Sequence, residues 1–375
     1  MGIRDELDAA SLPREWQARQ ITVGDETEIV TGPMAEVGNH RELLEQFGYN
    51  ADDVEIVGTV NSWRKEKSDG TWLTSYFFKV KPRERSVDLP ALYAERARIK
   101  HTPLKPRDTN RVVVALFSDP QIGKTDHRGG TPELLERLDQ KRVALDEYMK
   151  RSNCSRSVLV DAGDGPESFE NVQSQYFTND LSFPQQLDVY ATELLKFETM
   201  MARYGPVDAL IVPSNHAAWR NGKQSLGSPQ DDWGIYVHKQ VAKQAQASGL
   251  PVEHHYPADF TESLVFDING TWLGVTHGHQ SNSPNNFTQW WAKQMHGGMP
   301  FAYADIAISG HYHHLRVEQT GRSLRNGRSK WWIQCPPLDN GSSWHANKSD
   351  GDSDPGMVVF VIDDEGLDFQ SLTVL

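Results

Sequence analysis

Short apolar runs that stop at polar residues recur along the central part of this chain. They occupy residues 112–117, 158–160, 210–212, 273–275 and 306–309. Longer segments with helical periodicity separate them, at residues 132–149, 184–204 and 233–247. Strands that alternate with helices through short links are typical of βαβ units. The pattern therefore predicts an α/β domain over residues 111–375, with a mixed sheet covered by helices.

The first 80 residues follow a different pattern. Residues 40–47 predict a short helix that Gly48 ends, and the segments 54–60 and 72–80 predict two strands joined at Ser68-Asp69-Gly70. We interpret residues 1–80 as a small N-terminal α+β module. Residues 81–110 are rich in proline, lysine and arginine, which predicts a basic linker between the two parts, with room for one short series of helical turns.

Composition narrows the class of protein. The net charge of −13 gives an acidic surface overall, which disfavours indiscriminate coating of nucleic acid but leaves room for a local basic groove. Two cysteines cannot build a disulfide framework. No run approaches the about 20 apolar residues of a membrane span, and the N-terminus lacks the apolar core of a signal peptide. We therefore expect a cytoplasmic enzyme without a membrane partner.

Each of the five apolar runs ends at residues that bind metals or phosphate. The endings are Asp119-Pro120-Gln121, Gly163-Asp164, Ser214-Asn215-His216, His277-Gly278-His279 and Gly310-His311-Tyr312-His313-His314. Sites in open α/β sheets lie at the carboxyl ends of the strands, so these endings predict one constellation. Mixed oxygen and nitrogen ligands without cysteine suit Mn, Fe or Zn better than Mg. Two such ions about 3.5–4 Å apart predict phosphoester hydrolysis.

In order and spacing, these endings resemble the calcineurin-like metallophosphoesterase superfamily over residues 111–320. The resemblance implies a four-layer αββα sandwich, in which residues 316–319, 330–334 and 357–362 finish the second sheet. It implies two divalent ions, with Mn the first choice and Fe, Zn or Mg the alternatives. One ion would be held by Asp119, Asp164 and His313. The other would be held by Asp164, Asn215, His277 and His311.

The same resemblance assigns His216 to the scissile phosphate and to the leaving group. It also shows three departures. Gln121 stands where the family has a histidine, so we expect a weaker ligand and a looser first metal. Ser214 replaces a glycine, and Ala217 replaces an acidic residue, which predicts a less firmly oriented His216. Three further residues are candidates either to hydrogen-bond the metal ligands or to contact the substrate: His279, His314 and Arg220.

Basic residues beside tryptophan predict a nucleic-acid surface in the last third of the domain. Arg322, Arg325 and Arg328 precede Trp331, and cation-rich surfaces with stacking aromatics are typical where single strands bind. With the basic linker, this favours a nuclease acting on DNA. The chain also shows a looser similarity to SbcD-type repair nucleases of the kind found in bacteriophages, which would place it in the host cytoplasm. Those nucleases carry a capping domain after the core, whereas this chain has its extra module in front.

Three alternatives stay open. In the first, the basic segment around Arg322–Trp331, which we call the basic hairpin, and the linker 81–110 are solvated charged segments that bind nothing. The second is a cyclic-nucleotide or nucleotide phosphoesterase, which would use the same metals in a narrower pocket. The third is a non-catalytic DNA-binding protein on this scaffold, which Gln121 favours.

Overall fold

The computed structural model describes residues 16–51, 53–66, 70, 72–82, 86–170, 175, 177–221, 224–348 and 353–375. The chain divides into two compact units, Met1–Ser86 and Val87–Leu375. The predicted boundary was residue 80, and the difference arises because the last strand of the first unit continues to Pro82. No helix within these described ranges is long and apolar enough to cross a membrane.

The first unit is an antiparallel sheet with one helix. Its elements are β1 (Arg19–Val23), β2 (Glu26–Val30), α1 (His40–Gln46), β3 (Val54–Glu66) and β4 (Trp72–Pro82), with the sheet order β1-β2-β4-β3. Asn39 caps α1 by accepting from the Glu42 amide at 2.9 Å. The helix and the strands β3 and β4 were predicted. The strands β1 and β2 were not predicted, because each is only five residues long with two apolar residues. Ser68 and Asp69 of the predicted turn lie outside the described residues.

The second unit contains two sheets with helices. Its helices are α2 (Leu89–Ala97), α3 (Thr131–Ser152), α4 (Phe183–Met201), α5 (Trp233–Ala247), α6 (Phe287–His296) and α7 (Ser343–Lys348). Its first sheet has the order β10 (Val252–His255), β7 (Val207–Ile211), β6 (Arg156–Asp161), β5 (Val112–Phe117), β16 (Val358–Asp363) and β17 (Gly366–Val374). The second sheet has the order β11 (Ser263–Ile268), β12 (Thr271–Thr276), β13 (Ile306–Ser309), β15 (Ser329–Gln334) and β14 (Arg316–Arg322). The short strands β8 (Arg220–Asn221) and β9 (Gln224–Ser225) pair with each other.

Alternation along single strands shows why the two sheets stack. All six residues of β5 are buried. Val113, Ala115 and Phe117 pack with residues of α3 and α4, whereas Val112, Val114 and Leu116 pack with residues of the second sheet. Because side chains alternate across a strand, both faces of this sheet are covered. On the second sheet, Ala307 and Trp332 pack against α6. The layers are therefore helix, sheet, sheet and helix, which confirms the predicted αββα sandwich.

Two local predictions differ from the structure. The segment 357–362 was assigned to the second sheet, but β16 pairs antiparallel with β5 in the first sheet, with Val359 opposite Ala115. Pairing between segments this distant cannot be read from local periodicity. The segment 81–110 contains α2, whose Leu92 is buried in the core of the second unit. Arg83 and Arg85 of this segment lie outside the described residues.

Candidate metal and phosphate site

The polar residues that follow the parallel strands meet at one edge of the two sheets. Half of the ten non-glycine residues with positive φ in the described part of the chain are candidate ligands: Asp119 (50°), Gln121 (42°), Asp164 (54°), His311 (69°) and His313 (54°). Left-handed backbone is strained for such residues and persists only where the surroundings hold it, commonly at functional sites. The strain therefore coincides with the predicted constellation.

Two glycines allow the loops to approach closely. A Cβ at Gly163, where φ is +102°, would lie 2.6 Å from Ser214 Cβ and 2.8 Å from His277 Nδ1. A Cβ at Gly310 would collide with the side chain of Asp119. With a glycine there, the His311 amide donates to the Asp119 carboxylate at 3.1 Å. The loops after β5, β6 and β13 can therefore pack only with glycine at these positions.

We call Asp164, Asn215, His277 and His311 the His277 half of the site. His277 Nε2 lies 3.1 Å from Asp164 Oδ2 and 2.8 Å from Asn215 Oδ1, while its Nδ1 lies 2.8 Å from the Ala162 carbonyl oxygen. An N–H at Nδ1 donates to that carbonyl, so Nε2 either donates its own proton to the two oxygen acceptors or, when it is deprotonated, directs a lone pair toward the same point as they do. Asp164, His277 and His311 each present one ligand atom within 4.8 Å of the others. Three acceptors that converge in this way require a positive charge between them.

The titration of these groups shows the same requirement. Burial acts to lower the pKa of His277, but the negative charges of Asp164 and Asp119 outweigh burial and raise that pKa to about 9. Burial and the nearby His277 hold the pKa of His311 well below its ordinary value, so this imidazole stays neutral. The cluster therefore attracts a cation and keeps a neutral nitrogen ready to bind one.

We call Asp119, Gln121 and His313 the Asp119 half of the site. His313 Nε2 lies 3.4 Å from Asp119 Oδ1, and its Nδ1 lies 3.6 Å from Asp339 Oδ2. Lys124 Nζ lies 2.5 Å from both Gln121 Oε1 and Asp339 Oδ2. Gln121 was predicted as an uncertain metal ligand, and in this structure its amide oxygen accepts from the Lys124 ammonium. The Asp119 half thus already contains a positive charge.

Sequence reasoning missed both Lys124 and Asp339. Burial acts to lower the pKa of Lys124, but the charges of Asp339 and Glu167 outweigh it and raise the pKa above the ordinary value. Asp339 is buried, and Lys124 and His313 overcome burial to lower its pKa. Asp339 follows the end of β15, so the strand-end rule that found the other carboxylates could have found this one. No sequence signal marked Lys124.

His216 lies between Asp164 and Glu167. Its amide donates to Asp164 Oδ1 at 2.9 Å, its Nε2 lies 3.9 Å from Asp164 Oδ2, and its Nδ1 lies 3.1 Å from Glu167 Oε2. Burial acts to lower the pKa of His216, but both carboxylates raise it to about 9. His216 has a partner although residue 217 is alanine, because the backbone carbonyl oxygen and a carboxylate oxygen of Glu167, in the loop after β6, both lie 3.1 Å from His216 Nδ1.

The serine before Asn215 also has a defined role. Ser214 Oγ accepts from the Asp164 amide at 2.9 Å, and the Ser214 amide donates to Asp232 Oδ2 at 3.0 Å. The side chain of Asp232 also accepts from the Ile235 amide at the start of α5. Ser214 therefore links the loop that carries Asp164 to the first turn of a helix.

Of the three further candidates, His279 and Arg220 lie beside the His277 half, and His314 lies beside His313 of the Asp119 half. The ring of His279 is 5.5 Å from the ring of His277, and its Nε2 lies 3.7 Å from Glu262 Oε2. Arg220 Nε donates to the Asn215 carbonyl oxygen at 2.9 Å, and His314 Nδ1 lies 2.9 Å from the His313 carbonyl oxygen. Arg220 and His314 thus contact the backbone of candidate ligands.

The basic hairpin lies at the other end of the strands. Arg325 pairs with the buried Asp305, which precedes β13, and its guanidinium lies over the Trp272 ring at 4.9 Å. Arg328 donates to Thr271 at the start of β12. Trp331 stacks on Phe369 with 4.9 Å between ring centroids, and Arg322 donates to the Gly327 carbonyl oxygen. The candidate ligands follow the carboxyl ends of β12 and β13, so the hairpin is remote from them.

No family model and no curated protein matches this chain. One similar solved structure is a predicted phosphoesterase from Streptococcus pneumoniae, with 12% sequence identity and a TM-score of 0.28. The match covers 68% of this chain and 84% of that protein. A putative 5'-nucleotidase from Staphylococcus aureus has 13% sequence identity and a TM-score of 0.28, and the match covers 71% of this chain and 53% of that one. A purple acid phosphatase from yellow lupin seeds has 12% sequence identity and a TM-score of 0.34, and the match covers 90% of this chain and 67% of that one.

Proposed function

We propose that this chain is a metal-dependent phosphoester hydrolase. The observation that carries the proposal is the convergence of acceptor atoms from Asp164, Asn215 and His277, at 2.8–3.1 Å around His277 Nε2. A buried group of this kind needs positive charge, which a divalent ion can supply in place of the His277 proton, and carboxylate, amide and imidazole ligands suit Mn, Fe or Zn. A cation bound at this edge of the sheets, with His216 beside it, could bind the oxygens of a phosphoryl group.

We propose two divalent ions, one in each half of the site. The His277 half fits an ion well, because its nitrogen and oxygen lone pairs already face one another. The Asp119 half offers Asp119 and His313 with Asp164 as a shared ligand, while Lys124 occupies the oxygen of Gln121. Bound divalent ions would polarise phosphoryl oxygens and lower the pKa of coordinated water.

We propose separate catalytic roles for His216 and Lys124. The His216 imidazole lies beside Glu167, and the charges of Asp164 and Glu167 raise its pKa to about 9, so we propose that its Nε2 donates a proton to the leaving oxygen. The Lys124 ammonium places a fixed positive charge beside the Asp119 half, where it offsets negative charge that develops on phosphate.

For the substrate, we propose an ester of a nucleotide, either in DNA or as a small molecule. The DNA nuclease proposal now rests on the sequence resemblance, because the basic hairpin is remote from the ligands. The small-nucleotide proposal is supported by a cleft of about 430 Å³ that Trp219, Trp233 and Tyr236 line. Trp219 and Tyr236 are about half exposed, and Trp219 follows His216 by three residues. Aromatic faces of this kind stack on nucleobases.

A substrate panel with the full chain tests the function. We expect hydrolysis of bis(p-nitrophenyl) phosphate with Mn and loss of activity with EDTA. The panel includes cyclic nucleotides, mononucleotides, RNA, and linear and circular DNA in single- and double-stranded form. DNA binding without turnover under any of Mn, Fe, Zn or Mg would contradict the proposal and support the non-catalytic alternative.

Two sets of variants separate the substrate classes. Trp219→Ala should raise KM for small nucleotides and leave hydrolysis of bis(p-nitrophenyl) phosphate unchanged. Arg322→Ala with Arg328→Ala should leave both unchanged. A selective loss of DNA cleavage in the arginine variants would instead restore the hairpin as a nucleic-acid surface.

A further inference from the structure

A second group of metal-binding side chains lies in the core, away from the candidate site. Glu198 is on α4, His238 is on α5 and His254 is on β10. Their side chains are 0%, 0% and 1% exposed. Each presents one ligand atom within 4.8 Å of the other two. We call these three residues the α4–α5 cluster.

Hydrogen-bond directions in this cluster can be followed from Asp161. Asp161 Oδ2 accepts from the Tyr190 hydroxyl and lies 3.2 Å from His238 Nε2. A carboxylate can only accept, so His238 carries its proton on Nε2. The neutral ring then has a lone pair on Nδ1, which lies 3.2 Å from His254 Nδ1. The carboxylate of Asp161 thus orients His238 as a carboxylate orients a metal-binding histidine.

The far end of this chain of contacts lacks a positive charge. If His254 donates from Nδ1 to His238, its Nε2 is a lone pair that lies 3.3 Å from Glu198 Oε1. Among the described residues, neither carboxylate oxygen of Glu198 has a hydrogen-bond partner, and His254 Nε2 has none either. A buried carboxylate facing an imidazole lone pair is strongly unfavourable, because neither group can donate.

A metal ion would remove this conflict. Zinc binds histidine nitrogen and carboxylate oxygen at about 2.0–2.2 Å in a tetrahedral arrangement, which sets neighbouring ligand atoms about 3.4 Å apart. The 3.2 Å contact with His238 uses His254 Nδ1, whereas the 3.3 Å contact with Glu198 uses His254 Nε2, and an imidazole binds one ion through one nitrogen only. One ligand atom from each of the three residues lies within 4.8 Å of the other two, so side-chain movement of roughly 1 Å would bring them to the spacing that zinc requires.

We infer that Glu198, His238 and His254 bind a structural zinc ion, with Asp161 as the partner that orients His238. The ion would join α4, α5 and the edge strand β10 on one face of the first sheet. A buried site of this kind is filled during folding and adds its binding free energy to stability. The inference does not depend on hydrolase activity, because none of its ligands belongs to either half of the candidate site.

Zinc content of the purified full chain tests the inference. An Asp119→Asn, Asp164→Asn chain, expressed with zinc and dialysed, should retain one tightly bound zinc by mass spectrometry. Adding Glu198→Gln, which conserves shape, should remove that zinc and lower the Tm. Glu193→Gln is the matched control, because Glu193 is also buried on α4 but pairs with Lys196 at 3.1 Å; this variant should keep the zinc.

Cobalt substitution gives a second readout that does not require a ligand variant to fold. The Asp119→Asn, Asp164→Asn chain refolded with Co²⁺ should show the visible absorption of a tetrahedral nitrogen and oxygen site. Absence of bound zinc and of these bands in the folded chain would overturn the inference. In that case a proton shared between His254 and Glu198 supplies the charge instead.

Discussion

The two halves of the candidate site solve the same electrostatic problem differently. In the His277 half, buried nitrogen and oxygen atoms lie 2.8–3.1 Å apart, and the positive charge between them is either a proton on His277 or a cation that replaces it. In the Asp119 half, the ammonium of Lys124 lies 2.5 Å from Gln121 Oε1 and Asp339 Oδ2, so part of the charge is already built in. Ligand identity alone therefore does not predict affinity, because a neighbouring fixed charge competes with the ion.

This difference predicts unequal metal binding. The His277 half should fill first and hold its ion through dialysis. The Asp119 half should fill at higher Mn concentration, because a second cation must approach Lys124. We propose Asp164 as a ligand that both ions share, so its loss should have the largest effect on both halves.

Asp164→Asn should abolish hydrolysis and weaken metal binding in both halves. The variant keeps the shape of the side chain and removes the charge that both ions share. Calorimetric titration with Mn, with circular dichroism as the check on folding, measures this directly. Two tight sites in a folded variant would show that Asp164 does not bridge the halves.

His216→Ala should lower turnover by about 10²–10⁴-fold, the usual contribution of positioned acid catalysis, with metal content nearly unchanged. Glu167→Gln should cause a smaller loss, because the imidazole remains but loses the carboxylate that orients it. Turnover at saturating Mn and metal content by mass spectrometry are the two measurements. Loss of a metal equivalent in His216→Ala would make His216 a ligand.

The sequence predicted the edge of the site better than its interior. Asp119, Asp164, Asn215, His277 and His311 all follow buried strands, and strand ends meet at one edge whatever the loops do. Glu167 and Lys124 lie in loops without periodicity, so their approach to the ligands depends on tertiary packing. The same limit explains why the pairing of β16 with β5 was not predicted.

The basic hairpin shows that a charged run in the sequence does not by itself predict a binding surface. Arg322, Arg325 and Arg328 form a cationic run in sequence, which is usually a solvated surface or a binding surface. The structure pairs Arg325 with Asp305 and places Arg328 against Thr271, at the start of the strands. A run of charges does not reveal which buried carboxylate lies opposite it.

Lys124→Met should tighten Mn binding in the Asp119 half by about tenfold or more, because it removes a positive charge next to the incoming ion. Turnover at saturating Mn should fall, since the ammonium no longer offsets charge on phosphate. The rate as a function of Mn concentration separates the two effects. Lys124→Met with Asp339→Asn is the charge-balanced control and should show a smaller change in affinity. Unchanged Mn dependence in the single variant would mean that Lys124 does not compete with a metal.

Gln121→His should have the smallest effect of these variants, lowering the Mn concentration for half-maximal activity by a few fold. Imidazole is the better ligand for a borderline ion, but Lys124 stays close and still opposes that ion. In the Lys124→Met background the same change should be larger, because the repulsion is gone and the two positions are in contact. The maximal rate need not increase, since a more strongly donating ligand makes the metal a weaker Lewis acid. An unchanged or higher Mn requirement in both backgrounds would show that residue 121 is not a ligand position, and that Lys124 and water complete the Asp119 half.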